Sequence, residues 1–117
     1  MVMVLTEDGR VAPSTAAYDT RVVGVASGAG SYRPGIVLDR RETGLKRIAV
    51  ALVGKVFCLV DATRAPVRVG DLLTTAGRKG HAMRASDPQA SFGAVLGKAL
   101  APVASGCGLI PVLVCLR

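Results

Sequence analysis

Hydrophobic residues along this chain fall in short segments separated by glycine, proline and aspartate, most clearly in the second half. Each apolar segment there is about as long as one β-strand, and its breaks carry residues that supply turn geometry. None keeps the periodicity of an amphipathic helix over several turns. The pattern therefore predicts strands joined by tight turns: Arg47–Val60, Val67–Val69, Leu72–Thr75, His81–Ala85, Ala94–Ala101 and Leu109–Leu116.

Shorter strands are predicted in the N-terminal half. Met1–Leu5 and Arg10–Ala12 flank an acidic turn that ends in Asp-Gly, a dipeptide typical of β-hairpins. Two more apolar segments, Val22–Ala26 and Ile36–Leu38, predict further strands, and the polar stretch Asp39–Lys46 predicts an exposed hairpin loop.

The long segment Arg47–Val60 exceeds the length of one flat strand, and Gly54-Lys55 at its middle predicts a bulge or bend. Beyond that bend, side chains alternate between two apolar faces: Val56, Cys58 and Val60 on one, Phe57 and Leu59 on the other. Two apolar faces predict a central strand that is buried on both sides.

One helical signal stands among the strands. Asp87 suits an N-cap, Pro88 suits the first helical position, and Gly93 suits the stop, which predicts a short helical turn near residues 87–92. Together the elements predict one all-β domain over residues 1–117, a compact glycine-rich barrel or sandwich of about 8–11 short strands.

The composition adds an expectation of self-association. Half of the residues are hydrophobic, yet the longest unbroken apolar run, Ile48–Val53, is far shorter than the roughly 20 residues that cross a bilayer. The first residues show no signal peptide pattern. We therefore expect a cytoplasmic or phage-like particle location, with the excess apolar surface buried in an intertwined homo-oligomer.

The formal net charge of +7 raises the question of nucleic-acid binding. The basic residues are dispersed from Arg10 to Arg117, and aromatic residues do not interleave with them to stack bases. Specific nucleic-acid binding is therefore not expected. A salt-sensitive polyanion-binding module stays open as an alternative. A glycan-binding module also stays open, with Tyr18 and Tyr32 as its exposed aromatic candidates.

Residues for catalysis or metal binding are sparse. The three cysteines, Cys58, Cys107 and Cys115, have no Cys-x-x-Cys spacing, and the single His81 completes no zinc ligand set. The segment Gly93–Ala99 is one residue too short for a phosphate-binding loop and ends in alanine where a hydroxyl is required. We predict no cofactor, no metal site and no catalytic residue.

Self-cleavage is the enzymatic alternative, because it needs only a strained nucleophile with a nearby base. Ser27 and Ser31 lie in a glycine-rich stretch, and Lys55 or Lys98 could act as the base. The chain contains no asparagine, the residue that most often cyclises in such reactions.

The residues expected to carry assembly are apolar strand positions and turn glycines. The apolar positions predicted to form the core or the subunit contacts are Val50, Leu52, Val56, Cys58, Leu96, Leu100, Leu113 and Val114. Tight turns are predicted at Gly54, Gly70, Gly93 and Gly97, where the missing side chain would let subunit backbones approach closely.

The order of these motifs resembles a known kind of domain. The runs EDGRVAPSTAAYDTRVVGVASGAG, IAVALVGKVFCLVD, VRVGDLLTT, GHAMRASDP, FGAVLGKAL and GLIPVLV resemble a widespread bacterial family of β-rich C-terminal domains, mostly of uncharacterised function. VALVGKV followed by VRVGD is also similar to the intramolecular-chaperone and autoproteolytic (peptidase G2-like) domains of phage tail spikes and appendages.

The resemblance implies a trimeric all-β domain that caps or registers a fibrous or tail-like assembly, with no catalytic residues carried over. Our leading hypothesis is thus a non-enzymatic homotrimer whose principal partner is another copy of itself, and whose second partner is a fibre or tail protein. An autoproteolytic chaperone domain is the alternative.

Overall fold

The computed structural model describes residues 1–26, 50–51 and 53–116, and the predicted elements in these ranges are largely present. The strands are β1 (Val2–Leu5), β2 (Val11–Pro13), β3 (Val22–Ala26), β4 (Val50–Ala51), β5 (Val53–Asp61), β6 (Leu72–Thr75), β7 (Ala82–Arg84), β8 (Val95–Ala99) and β9 (Cys107–Cys115), with one helix, α1 (Pro88–Ser91). The predicted strand Ile36–Leu38 and loop Asp39–Lys46 lie outside the described residues. No helix in the described ranges has the length and apolar character needed to span a membrane.

Four strands form the first sheet, in the order β2-β1-β3-β4 with antiparallel neighbours. The predicted N-terminal hairpin is confirmed. Its turn closes where the Thr6 N–H donates to the Arg10 carbonyl at 2.8 Å. Gly9 adopts a φ of 84°, a conformation that glycine reaches without steric cost, which explains why Asp-Gly ends this turn.

The remaining strands close into a barrel in the order β5-β7-β6-β8-β9. Its longest ladder joins β5 and β9 antiparallel along their full length, from Val53 opposite Cys115 to Asp61 opposite Cys107. The ring closes through a parallel contact of β5 with β7, at Val60 opposite Ala82. The described residues are therefore mostly β, as the sequence predicts, and their strands form two sheets. The segment predicted as strand Val67–Val69 contributes only an isolated bridge, from Val67 to Val103.

Small aliphatic side chains fill the barrel. Six residues on its inner wall have no exposed surface: Cys58, Val60, Leu73, Leu96, Val112 and Val114. Branched side chains pack well on a pleated surface, which explains how a chain without tryptophan forms a core. The prediction that β5 is buried on both sides is wrong, because Phe57 is 61% exposed and Leu59 is half-buried. A barrel wall turns only one face to the core.

The helix forms as its capping residues predict. The Asp87 carboxylate accepts hydrogen bonds from the N–H groups of Gln89 at 3.0 Å and Ala90 at 3.2 Å. Pro88 occupies the first turn, and Gly93 follows the helix with a φ of 78°. These contacts satisfy amide groups that a helix end otherwise leaves free, which explains why so short a helix persists.

Of the four glycines predicted to form tight turns, the structure places two in turns and two inside strands. Gly70 and Gly93 lie in turns with φ values of 91° and 78°. Gly54 and Gly97 lie inside β5 and β8, so neither is a tight turn. A Cβ atom built on Gly97 would lie 2.0 Å from the carbonyl oxygen of Leu113. The close backbone approach at Gly97 therefore occurs between two strands of one chain.

One buried hydroxyl gives a stability prediction. Ser14 is fully buried, and its Oγ has no hydrogen-bond partner among the described residues. A buried hydroxyl without a partner has lost its water without compensation, so Ser14→Ala is expected to raise the free energy of unfolding by about 1 kcal/mol. Urea unfolding measures this change.

Ser91→Ala is the matched control, because the Ser91 hydroxyl donates to the Asp87 carbonyl at 2.5 Å. Its loss should lower the free energy of unfolding by about 1 kcal/mol. A Ser14→Ala variant as destabilised as Ser91→Ala would show that the Ser14 hydroxyl has a stabilising partner.

Candidate functional site: an apolar outer face of the barrel

The β5–β9 ladder turns a set of apolar side chains away from the core. Residues directly opposite each other in an antiparallel pair project to the same side, and successive residues alternate sides. Phe57 lies opposite Pro111, Leu59 opposite Leu109, and Lys55 opposite Leu113. All six therefore project outward, because their neighbours Cys58, Val112 and Val114 project inward and are fully buried.

These outward side chains are accessible to solvent. Phe57 is 61% exposed, Leu109 is 54% exposed and Leu113 is 41% exposed, while Leu59 and Pro111 are half-buried. Single exposed apolar residues are common on protein surfaces, but adjacent ones on two paired strands form a continuous patch. Such patches mark contact surfaces for proteins or ligands.

Strand β8 extends the patch. The N–H of Leu100, just beyond β8, donates to the Pro111 carbonyl at 3.0 Å, and the Leu100 side chain is 38% exposed. Lys98 lies opposite Leu113, so Leu113 has a lysine beside it on each neighbouring strand. We call this patch the outer face, formed by Phe57, Leu59, Leu100, Leu109, Pro111 and Leu113, with Lys55 and Lys98 at one end.

The structure divides the predicted assembly residues between two locations. Leu100 and Leu113 lie on the outer face, whereas Cys58, Leu96 and Val114 lie inside the barrel and Val56 packs against its core. Val50 belongs to β4, with a side chain that is not described, and Leu52 lies outside the described residues. The predicted set of assembly residues thus includes both core positions and surface positions.

Four members of the outer face, Phe57, Leu59, Leu109 and Pro111, are not among the predicted assembly residues, although the sequence pattern places Phe57 and Leu59 on one face of their strand. The signal that could have added Leu109 and Pro111 is the alternation within β9. Leu109, Pro111 and Leu113 occupy every second position, and so do Ile110, Val112 and Val114. Treating these two series as the two faces of β9 would have distinguished its surface residues from its core residues.

Of the three cysteines, Cys58 lies in the apolar interior of the barrel. Burial raises the pKa of the Cys58 thiol to about 12, so the thiol stays protonated at neutral pH. All three cysteines are free, with Cys107 exposed and Cys115 half-buried. Cys58 therefore acts as a small apolar side chain of the core.

The residues considered for self-cleavage and metal binding do not come together in the described part of the structure. Ser27 and Ser31 lie outside those residues, while Lys55 and Lys98 are exposed. The Nδ1 atom of His81 lies 2.8 Å from the carbonyl oxygen of Lys79. Over the described ranges, no three side chains of histidine, cysteine, aspartate or glutamate gather closely enough to hold a metal ion.

The geometry thus offers an apolar surface with lysines at one end as the candidate functional site. Comparisons with known proteins provide no template for it. No protein-family model, no curated protein and no solved structure matches this chain.

Proposed function

We propose that this chain is a non-enzymatic assembly domain that forms a homotrimer through the outer face and caps or registers a phage-tail-like or fibrous assembly. The observation that carries self-association is the continuous patch of exposed leucine and phenylalanine on the longest strand pair of the barrel. The motif resemblance supports the threefold state and the place in a fibrous or tail-like assembly.

Burial of the outer face would supply a substantial driving force. Covering one leucine or phenylalanine side chain contributes about 1.5–3 kcal/mol when the side chain goes from full exposure to full burial. Phe57, Leu109 and Leu113 each retain much of that exposed area. Lys55 and Lys98 lie at one end of the patch, as expected for the polar rim that surrounds the apolar centre of an interface.

The barrel also limits how a second copy can bind. The edge that β5 shares with β9 is paired along its full length, from Val53 opposite Cys115 to Asp61 opposite Cys107, so a second copy cannot add a strand there. The outward side chains of this ladder are the contact surface that the pairing leaves open.

Native mass tests the proposal directly. Light scattering coupled to size exclusion, with intact-mass spectrometry on the same sample, should give three times the 12.0 kDa of one uncut chain. A monomer at every concentration tested would overturn self-association. A dimer would overturn the threefold state, and a chain shorter than the encoded one would favour the autoproteolytic alternative.

A further inference from the structure

A cleft lies beyond the Leu59 end of the outer face, where β5 ends at Asp61. The end of β5 and the residues after it, the loop between β6 and β7, and the segment around Ala17 enclose a cleft of about 380 Å³. Ala17 and Met83 supply apolar surface, while Asp61, Arg64 and Arg78 supply charged groups, so the lining is about equally polar and apolar. A concave surface that combines apolar contacts with a few convergent polar groups is typical of a small-molecule site.

Asp61 and Arg78 form an ion pair in this cleft. The Asp61 Oδ1 atom accepts hydrogen bonds from the Thr63 hydroxyl at 2.6 Å and the Thr63 N–H at 2.9 Å. Its Oδ2 atom lies 3.4 Å from the Arg78 Nε. The Thr63 hydroxyl, the Thr63 N–H and the Arg78 guanidinium lower the pKa of Asp61. Asp61 is therefore ionised at neutral pH and offsets the charge of Arg78.

Arg64 is left as the uncompensated charge of the cleft. Its side chain is exposed, and its guanidinium has no hydrogen bond or ion pair with any described residue. The three charged groups sum to one positive charge, since one carboxylate faces two guanidinium groups. A guanidinium group presents paired N–H donors that match the two oxygens of a carboxylate.

We propose that this cleft binds a small monocarboxylate with a short aliphatic body. Arg64 receives the carboxylate through a charge-assisted pair of hydrogen bonds, and Ala17 and Met83 contact the aliphatic part. A phosphate dianion fits less well, because Asp61 stays negatively charged beside the second arginine.

Titration with butyrate, followed by amide chemical shifts, tests the site. We expect saturable shifts at Gly77, Arg78 and Met83. Arg64→Gln should weaken butyrate binding by about tenfold or more, since it removes a charge-assisted hydrogen-bond pair. Arg68→Gln removes the same charge from another exposed arginine, which lies outside the cleft lining, and should leave the affinity unchanged.

Two comparison ligands test the two features of the proposed site: acetate tests the apolar contacts, and inorganic phosphate tests the preference for a monocarboxylate. Acetate should bind several-fold more weakly than butyrate, because it lacks the methylene groups that contact the apolar wall. Inorganic phosphate should bind more weakly than butyrate and should not displace it. Equal affinity for acetate and butyrate, tighter binding of phosphate, or equal losses in the two arginine variants would each overturn the site. A full butyrate titration without any shift would also overturn it.

Discussion

The Leu113→Asp variant is expected to be a folded monomer of 12.0 kDa under conditions where the unaltered chain is oligomeric. Leu113 lies on the outer face with 41% of its side chain exposed, so the single chain does not need it for its core. In the oligomer the new carboxylate would enter an apolar contact, where an incompletely paired charge costs several kcal/mol. We expect the dissociation constant to rise at least about thirtyfold, as for truncation of an interface hot spot.

The strand neighbours of Leu113 explain why the fold should survive. Lys55 on β5 and Lys98 on β8 both lie opposite Leu113, so an aspartate there would stand between two exposed lysines. Opposite charges across paired strands contribute about 0.2–1 kcal/mol each. Far-UV circular dichroism and a thermal unfolding curve should therefore match those of a folded β protein.

Two further variants define the surface. Phe57→Asp should dissociate the oligomer in the same way, because Phe57 lies on the same face. Phe92→Asp is the control: Phe92 is 89% exposed, yet it follows helix α1 and does not belong to the outer face. A full-size, soluble oligomer from both Leu113→Asp and Phe57→Asp would place the subunit contact elsewhere.

Elements whose signals are local could be predicted from the sequence. Leu72–Thr75 is a strand with the predicted bounds, and helix α1 lies between its predicted N-cap Asp87 and its predicted stop Gly93. Capping contacts and turn conformations depend on residues within one or two turns of each other. The sequence of such a segment therefore contains most of the information that determines its structure.

The assignment of strand faces could not be predicted in the same way. Leu113 and Val114 are adjacent apolar residues of β9, so one must project inward and the other outward, and composition does not distinguish them. The choice follows from how β9 is placed between β5 and β8, which pairs residues far apart in the chain. The cleft could not be predicted for the same reason, since Asp61 and Arg78, which meet in it, are 17 residues apart in the sequence.

Gly97 shows that the same residue type can serve two purposes. Glycine supplies turns with positive φ, as at Gly70 and Gly93, and it also permits two backbones to approach closely. Gly97 followed by a lysine within an apolar run suits either role. The strand pairing decides between them, because β9 passes so close to β8 that no side chain fits.

Gly97→Ala is expected to lower the free energy of unfolding by at least about 3 kcal/mol, the upper end of the usual cost of overpacking. The added methyl group would lie 2.0 Å from the Leu113 carbonyl oxygen and 3.0 Å from the Val114 Cα, so backbone atoms would have to move. Gly77→Ala is the matched control. Its new methyl group would meet no atom within 4 Å, so stability should change by less than about 0.5 kcal/mol. Urea unfolding at one fixed protein concentration measures both, and equal midpoints for Gly97→Ala and the unaltered chain would contradict this account of β8 and β9.

Comparing the Gly97 and Leu113 variants distinguishes effects on the stability of the single chain from effects on its self-association. Gly97→Ala forces β9 away from β8 and so displaces the backbone that carries Leu113, which should reduce both stability and self-association. Leu113→Asp changes only an outward side chain, so it should reduce self-association while the single chain stays folded. If Leu113→Asp destabilised the chain as much as Gly97→Ala, the outer face would contribute to the folding of each subunit, and folding and assembly would be coupled.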